Sequence, residues 1–155
     1  MLDSLKPNLF SGMQGKVIKD GKPVSGAMIT LNIEYFHVGS FQRQTTSDEN
    51  GEFYLAPLRA FALRAYIPIV QPVIKQRIDV VSGEVRKNCW RHSKGIPWGV
   101  TENGDFEGKG ESPIKVVFDL SESEGKVQKV GTATIGGACT LLNPFKDEIE
   151  VQYVD

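Results

Sequence analysis

The side chains of this 155-residue chain best suited to metal or nucleophilic chemistry are His37, His92, Cys89 and Cys139. Structural zinc sites draw their ligands as short-spaced pairs. Here the cysteines stand fifty positions apart with the histidines scattered, so no metal site is expected. A hydrolase nucleophile elbow would read Gly-x-Ser-x-Gly, and no such pentapeptide occurs. Gly131-Thr132-Ala133-Thr134-Ile135-Gly136-Gly137 is glycine-rich but lacks the Gly-Lys-Ser/Thr ending of a phosphate loop, and reads as a strand closed by a tight turn. Carboxylates are plentiful, yet spacing alone pairs no two of them across a cleft. No catalytic residue, metal ligand or cofactor site is therefore predicted. The thiols are expected to be free and buried, and a contact between them stays open because distant positions meet in β folds.

Charge is the more informative pattern. Eighteen basic against 19 acidic side chains leave a net charge of −1, too balanced for a general nucleic-acid binder. The distribution is uneven: residues 71–94 hold six basic and two acidic side chains, residues 101–155 five basic and eleven acidic. Period-two alternation places Lys75 and Arg77 on one strand face, and Arg86, Lys87, Arg91 and Lys94 continue the basic zone. Two solvated regions that neutralise each other are the plain interpretation. The functional one is a surface of one sign that steers a partner of the other. Trp90, Trp98 and Phe106 flank the zone, and tryptophan and arginine are typical interface anchors. Trp98, among glycines and polar residues, is expected at the surface; Trp90 is expected in the core. The candidate partner-binding set is thus Trp98, Phe106, Lys75, Arg77, Arg86, Lys87, Arg91 and Lys94, and the expected partner is a protein. Nucleic acid is disfavoured by the acidic remainder of the chain. Sugar stacking on loop aromatics is a third option.

Strands must position these side chains, because the apolar period is two rather than 3.6. Residues 14–19 form a first strand ended by Asp20-Gly21, a tight-turn dipeptide. In residues 27–35, Ile29, Leu31 and Ile33 share one face. Residues 41–46 and 52–55 are strands about a turn in which Asn50-Gly51 suits positive backbone dihedrals. Residues 59–66 have a helical composition, but Phe61, Leu63 and Ala65 alternate and predict a strand. Residues 73–81 and 84–90 form a hairpin around Ser82-Gly83, with Ile74, Gln76, Ile78 and Val80 facing away from Lys75 and Arg77. Residues 91–112 are a long polar, glycine-rich loop of the kind that carries function. Strands follow at 114–120, 127–135 and 148–154, with helix expected at most as a turn near 141–146.

At 40% hydrophobic, the length suits one domain over residues 10–155, preceded by an arm at 1–9. The first residues lack the basic start, apolar run and small-residue cleavage site of a secretory signal. No stretch has the length of a membrane helix. A cytoplasmic protein is expected.

The run Gly15-Lys16-Val17-Ile18-Lys19-Asp20-Gly21-Lys22-Pro23-Val24-Ser25-Gly26-Ala27, an alternating strand, and then Thr45-Thr46-Ser47-Asp48-Glu49-Asn50-Gly51-Glu52-Phe53-Tyr54-Leu55 resemble the carboxypeptidase regulatory-like domain. The core of this pattern lies in residues 14–81. The resemblance implies an all-β, transthyretin-like (prealbumin-like) Greek-key β-sandwich, here with an extended loop and extra C-terminal strands. It also implies structural roles. Gly21 serves the tight turn, Pro23 stiffens the link without donating to a ladder, and Gly26 supplies an unusual backbone angle. Asn50 and Gly51 close the acidic turn, and Phe53 points to the core. Transthyretin-like proteins include a hydrolase of 5-hydroxyisourate that ends in Tyr-Arg-Gly-Ser, whereas this chain ends in Tyr153-Val154-Asp155 and its histidines lie in other contexts. The stretch 67–74 with Pro68 and Pro72, together with Cys139-Thr140, resembles a narrower group of bacterial proteins near contact-dependent or type VI secretion genes. That resemblance implies an immunity or adaptor protein that binds a secreted effector, without a cofactor. A small-molecule hydrolase and a structural sandwich are the alternatives.

Overall fold

The structure, a computed structural model, describes residues 8–35, 39–59, 73–94, 113–130, 133–142 and 150–154. Alternating apolar and polar side chains can bury one face only as strands, and fourteen strands are found among the described residues. They are β1 (Asn8–Phe10), β2 (Met13–Lys19), β3 (Lys22–Pro23), β4 (Met28–Tyr35), β5 (Gly39–Thr46), β6 (Glu52–Leu55) and β7 (Leu58–Arg59). After them come β8 (Ile74–Ser82), β9 (Val85–Lys94), β10 (Ile114–Asp119), β11 (Lys126–Val130), β12 (Ala133–Gly136), β13 (Cys139–Leu141) and β14 (Glu150–Tyr153). In β4, Ile29, Leu31, Ile33 and Tyr35 are buried while Met28, Asn32 and Glu34 are exposed. Burying each such aliphatic side chain contributes roughly 1.5–3 kcal/mol.

The widest sheet has seven strands in the order β14-β11-β12-β9-β8-β4-β5, all antiparallel. A five-stranded sheet runs β13-β10-β2, with β3 and β6 both pairing the far side of β2, and its β2–β10 ladder is parallel. β1 and β7 form a two-stranded ribbon. The architecture is therefore all-β and mostly antiparallel. The apolar faces of the two larger sheets meet in one hydrophobic cluster, with Val17, Phe53, Val116 and Phe118 from one and Leu31, Ile33, Ile78 and Trp90 from the other.

The turn residues act through specific geometry. Asp20 and Gly21 both have positive φ (52° and 78°), the pair of angles that a two-residue hairpin between β2 and β3 demands. Gly26 has φ 74° in open space, and Pro23 lies exposed on β3, where a missing N–H costs no central ladder. Gly51 has φ 79°, and a Cβ there would stand 2.6 Å from the Val17 carbonyl oxygen. Asn50 differs from expectation. Its φ is not positive; it instead donates its N–H to Asp48 Oδ1 at 2.9 Å, and the same oxygen accepts from the Glu52 N–H. The acidic side chain, rather than a left-handed Asn, closes the turn. Phe53 is core as expected. Its ring lies over Gly15, where a Cβ would come within 2.6 Å of it, and stacks on Phe118 at 5.1 Å.

Other expectations shift. The single strand expected at 127–135 is two antiparallel strands, β11 and β12, with Val130 opposite Ala133. β9 continues to Lys94, so residues 91–94 belong to a strand and not to the loop. Leu141, where a helical turn was expected to begin, lies in β13. β1 went unpredicted, and Leu9 and Phe10 are wholly buried. The expected strand at 59–66 is described only at Arg59, and residues 95–112 lie outside the described residues. Cys89 and Cys139 are free and buried. Burial pushes both thiols up, Cys139 to about 12, which leaves them protonated and poorly nucleophilic at neutral pH.

Candidate functional site

The outward face of the seven-stranded sheet is shaped by one irregularity. Ile78 pairs with Trp90 but Asp79 pairs with Asn88, so Cys89 is an extra residue in β9. A bulge of this kind puts two successive side chains on one face, and Cys89 and Trp90 are both fully buried. Everything beyond it changes side. In a regular strand Arg91 would share the face of Lys87; with the bulge it stands directly opposite Arg77, and Ser93 opposite Lys75.

The bulge is held from both sides. Gly137, at φ 119°, presses on it so closely that a Cβ would lie 2.5 Å from the Cys89 carbonyl carbon and 2.7 Å from the Trp90 nitrogen. The Ala138 N–H donates to the Asn88 carbonyl at 3.1 Å, and the Gly137 N–H to the Lys126 carbonyl at 2.9 Å. Asn88 donates its own N–H to Glu124 Oε1 at 2.8 Å and its Nδ2 to Asp79 Oδ1 at 3.1 Å, and its Oδ1 accepts from Arg91 Nη1. Arg91 Nη2 donates to the Glu124 carbonyl at 2.8 Å. The guanidinium lies over Gly136, where a Cβ would come within 2.8 Å of it.

Asp79 is the buried anion of this network, 5% exposed. Arg77 Nε donates to it at 3.0 Å, and Arg86 Nη2 stands 3.6 Å away. Burial pushes its carboxyl up, but the hydrogen bonds from Arg77 and Asn88 and the charges of Arg77 and Arg86 outweigh that and hold it below the ordinary carboxylate range. A carboxyl held low in the fold contributes stability above its unfolded pKa and loses it as pH falls through the folded value. Asp79→Asn is accordingly expected to destabilise by about 1–3 kcal/mol at neutral pH. The gap between the two proteins should begin to narrow as pH falls below about 4, the range of an unfolded carboxyl, and close once the pH lies below the depressed folded value. Urea titrations across pH check this; a gap constant with pH would rule the charge out as the cause.

Above this network the sheet face forms an open trough of about 950 Å³. It spans six strands: Ser40 and Gln42 of β5, Asn32 and Glu34 of β4, Lys75 and Arg77 of β8, Arg91 and Ser93 of β9, Thr134 and Gly136 of β12, and Val127 of β11. Of the sequence-predicted basic residues, Lys75, Arg77 and Arg91 thus come together at its centre. Arg86 is on the same sheet face but nearer the β8–β9 turn, opposite Val81 and largely exposed. Lys87 departs from the basic zone, since it is half-buried and opposite the buried Val80 on the core-facing register. Lys94 pairs with Ile74, also a core-facing position, and its side chain lies outside the described residues. Trp98 and Phe106 lie outside them too, as does His37. Trp90 is core, its Nε1 donating to Gln76 Oε1 at 3.0 Å. His92 faces the core side opposite Gln76, with Nδ1 2.9 Å from the Thr134 carbonyl oxygen and its ring edge-on to Trp90. Among the described residues no group of three or more His, Cys, Asp or Glu could hold a metal ion.

Sequence reasoning missed Asn88, Asp79 and Glu124 as the framework that orients the arginines. The available signal was Asp79, an acid at the same parity as Lys75 and Arg77 in an otherwise basic strand.

These features define an all-β domain whose widest sheet carries a cation-centred trough on its outer face. Residues 13–123 match the family described as a domain of unknown function, DUF6795, and the chain belongs to that family. The match holds β2 to β10, and so Lys75, Arg77 and Arg91; the β11 and β12 wall of the trough lies beyond it. No curated protein and no solved structure matches the chain. No helix among the described residues is long and apolar enough to cross a membrane.

Proposed function

We propose that the chain is a non-catalytic protein-binding module on a carboxypeptidase regulatory-like, transthyretin-like sandwich frame. In this reading it is a cytoplasmic immunity or adaptor protein that blocks or escorts a secreted bacterial effector. The observation that carries the reading is the trough, an open face with Lys75, Arg77 and Arg91 at its centre, Ser40, Gln42 and Asn32 toward one end, Thr134 toward the other, and Glu34 as its single lining carboxylate. Enclosed clefts of similar volume suit small molecules, whereas a face open across six strands suits a macromolecular surface. Trp98 and Phe106 are proposed as additional anchors from the segment beyond β9. A hydrolytic reading would draw on His92, which also lines the trough beside Arg91, but its side chain is buried, with the ring edge-on to Trp90 and Nδ1 2.9 Å from the Thr134 carbonyl oxygen.

The test is capture of the tagged protein from its native cells, followed by amine-reactive footprinting of the purified complex. A stoichiometric partner that shields Lys75 from modification, while leaving Lys22 reactive, is the expected result. A complex in which Lys75 reacts as in the free protein would move the docking surface elsewhere. Absence of any partner from resting and contact-stimulated cells would remove the main support for the reading.

A further inference from the structure

The fold balances the cations of the trough only in part: Asp79 pairs with Arg77, while Lys75 and Arg91 form no ion pair among the described residues. Arg77 stands directly opposite Arg91 on the neighbouring strand, and like charges so placed repel. Asp79 takes the Nε of Arg77 only; the two Nη groups have no hydrogen-bond partner among the described residues. Arg91 is held by the neutral Oδ1 of Asn88 and the neutral carbonyl of Glu124. Lys75 has neither a hydrogen bond nor an ion pair among the described residues, although Glu34 is its cross-strand neighbour. Glu34 is the lone carboxylate among the residues lining the trough.

Shape narrows the ligand. Six strands at a spacing of about 4.8 Å make the trough about 24 Å long across the sheet. That is the span of about seven residues of extended chain at roughly 3.3 Å each. The cations occupy β8 and β9 in the middle, and amides and hydroxyls toward both ends can meet peptide groups. A nucleic-acid backbone would need a basic track along the whole length, whereas the flanking strands add no cation to the lining and β4 adds the carboxylate of Glu34.

We propose that the trough binds an acidic, extended peptide segment of a partner protein, seating its central carboxylates on Lys75, Arg77 and Arg91. This rests on the reading of the face as a protein-docking surface. Arg77 offers a paired Nη edge to a carboxylate, a geometry that strengthens and orients the contact. Asp79 and Asn88 keep the two arginines extended across the face before the ligand arrives, so little side-chain freedom is lost on binding.

The full-length protein is immobilised and offered two seven-residue peptide libraries. One has Asp or Glu at the three central positions, and the other has Asn or Gln there. The acidic library is expected to be retained about tenfold better, and raising NaCl from about 0.05 to about 0.5 M should abolish the difference. Lys75→Glu removes a side chain without internal partners, so the fold should survive and the preference vanish. Arg77→Lys, which keeps a cation beside Asp79 but loses the paired edge, should reduce it severalfold. Equal retention of both libraries overturns the proposal. So does displacement of all bound peptide by millimolar inorganic phosphate, which would mark a small-anion site. If a cellular partner is captured undiminished by Lys75→Glu, the peptide inference fails while the protein-binding reading stands. If neither peptide nor partner binds, both fall.

Discussion

Gly137→Ala is expected to lower the unfolding free energy by about 3 kcal/mol or more. Two costs add. At φ 119° an L side chain is strained whatever its surroundings, and the new Cβ would sit 2.5 Å from the Cys89 carbonyl carbon, which is backbone and cannot rotate away. The strand pair must part to accept it. The Ala138-to-Asn88 hydrogen bond is then the first loss, and with it the support of the bulge that turns Arg91 into the trough. Urea unfolding measures the stability term. The same variant, at urea concentrations where it remains folded, should show weaker discrimination between acidic and amide peptides than wild type. A control at Gly26, where a Cβ meets nothing, should show only the conformational cost, about 1–2 kcal/mol. Equal losses at the two glycines would mean that close approach to the bulge is unimportant.

Trp90→Ala is expected to cost about 3–5 kcal/mol, the range for deleting a large buried aromatic. Trp90 has no exposed surface, and its Nε1 donates to Gln76 Oε1 at 3.0 Å. Gln76 in turn donates to the Leu9 carbonyl at 2.8 Å, so the indole links β9 through β8 to the strand at the start of the described chain. Trp90→Phe separates packing from polarity. It keeps most of the ring but leaves the amide oxygen of a buried Gln76 without its indole donor, an expected loss of about 1–3 kcal/mol. Adding Gln76→Leu to Trp90→Phe should recover part of that loss, less the Leu9 contact. If Trp90→Phe is as damaging as Trp90→Ala, the hydrogen bond rather than the ring volume carries the residue's role. If Trp90→Phe is neutral, the polar chain to Leu9 is dispensable. Because Trp90 and Arg91 are successive residues at the bulge, both of these large effects fall on the element that sets the trough.

Much of this was legible from residue order. Ile29, Leu31 and Ile33 alternate with polar residues and are buried, and Ile74, Gln76, Ile78 and Val80 behave the same way. The Asp20-Gly21 hairpin and the positive φ of Gly51 follow from backbone sterics that act within a few residues, although the close approach of Gly51 to the Val17 carbonyl is tertiary. The parity of Lys75 and Arg77 is local in the same sense. By itself, then, the sequence determined the positions of the longer strands, most turns, the burial of Trp90 and the basic centre of one strand, because period-two alternation and turn dihedrals depend only on near neighbours; the short strands β1, β12 and β13 were not legible in it. Tertiary structure decided which cations meet. The bulge at Cys89 has no local marker: it forms because Gly137, forty-eight positions on, lies against the backbone of Cys89 and Trp90 and allows two successive side chains to enter the core. That slip of one residue carries Arg91 out to Arg77 while Lys87 stays on the core-facing register, and it lets Asn88 join Asp79 beneath the trough. A one-residue change of register reverses every side chain beyond it, and only the long-range packing that stabilises the slip could specify it.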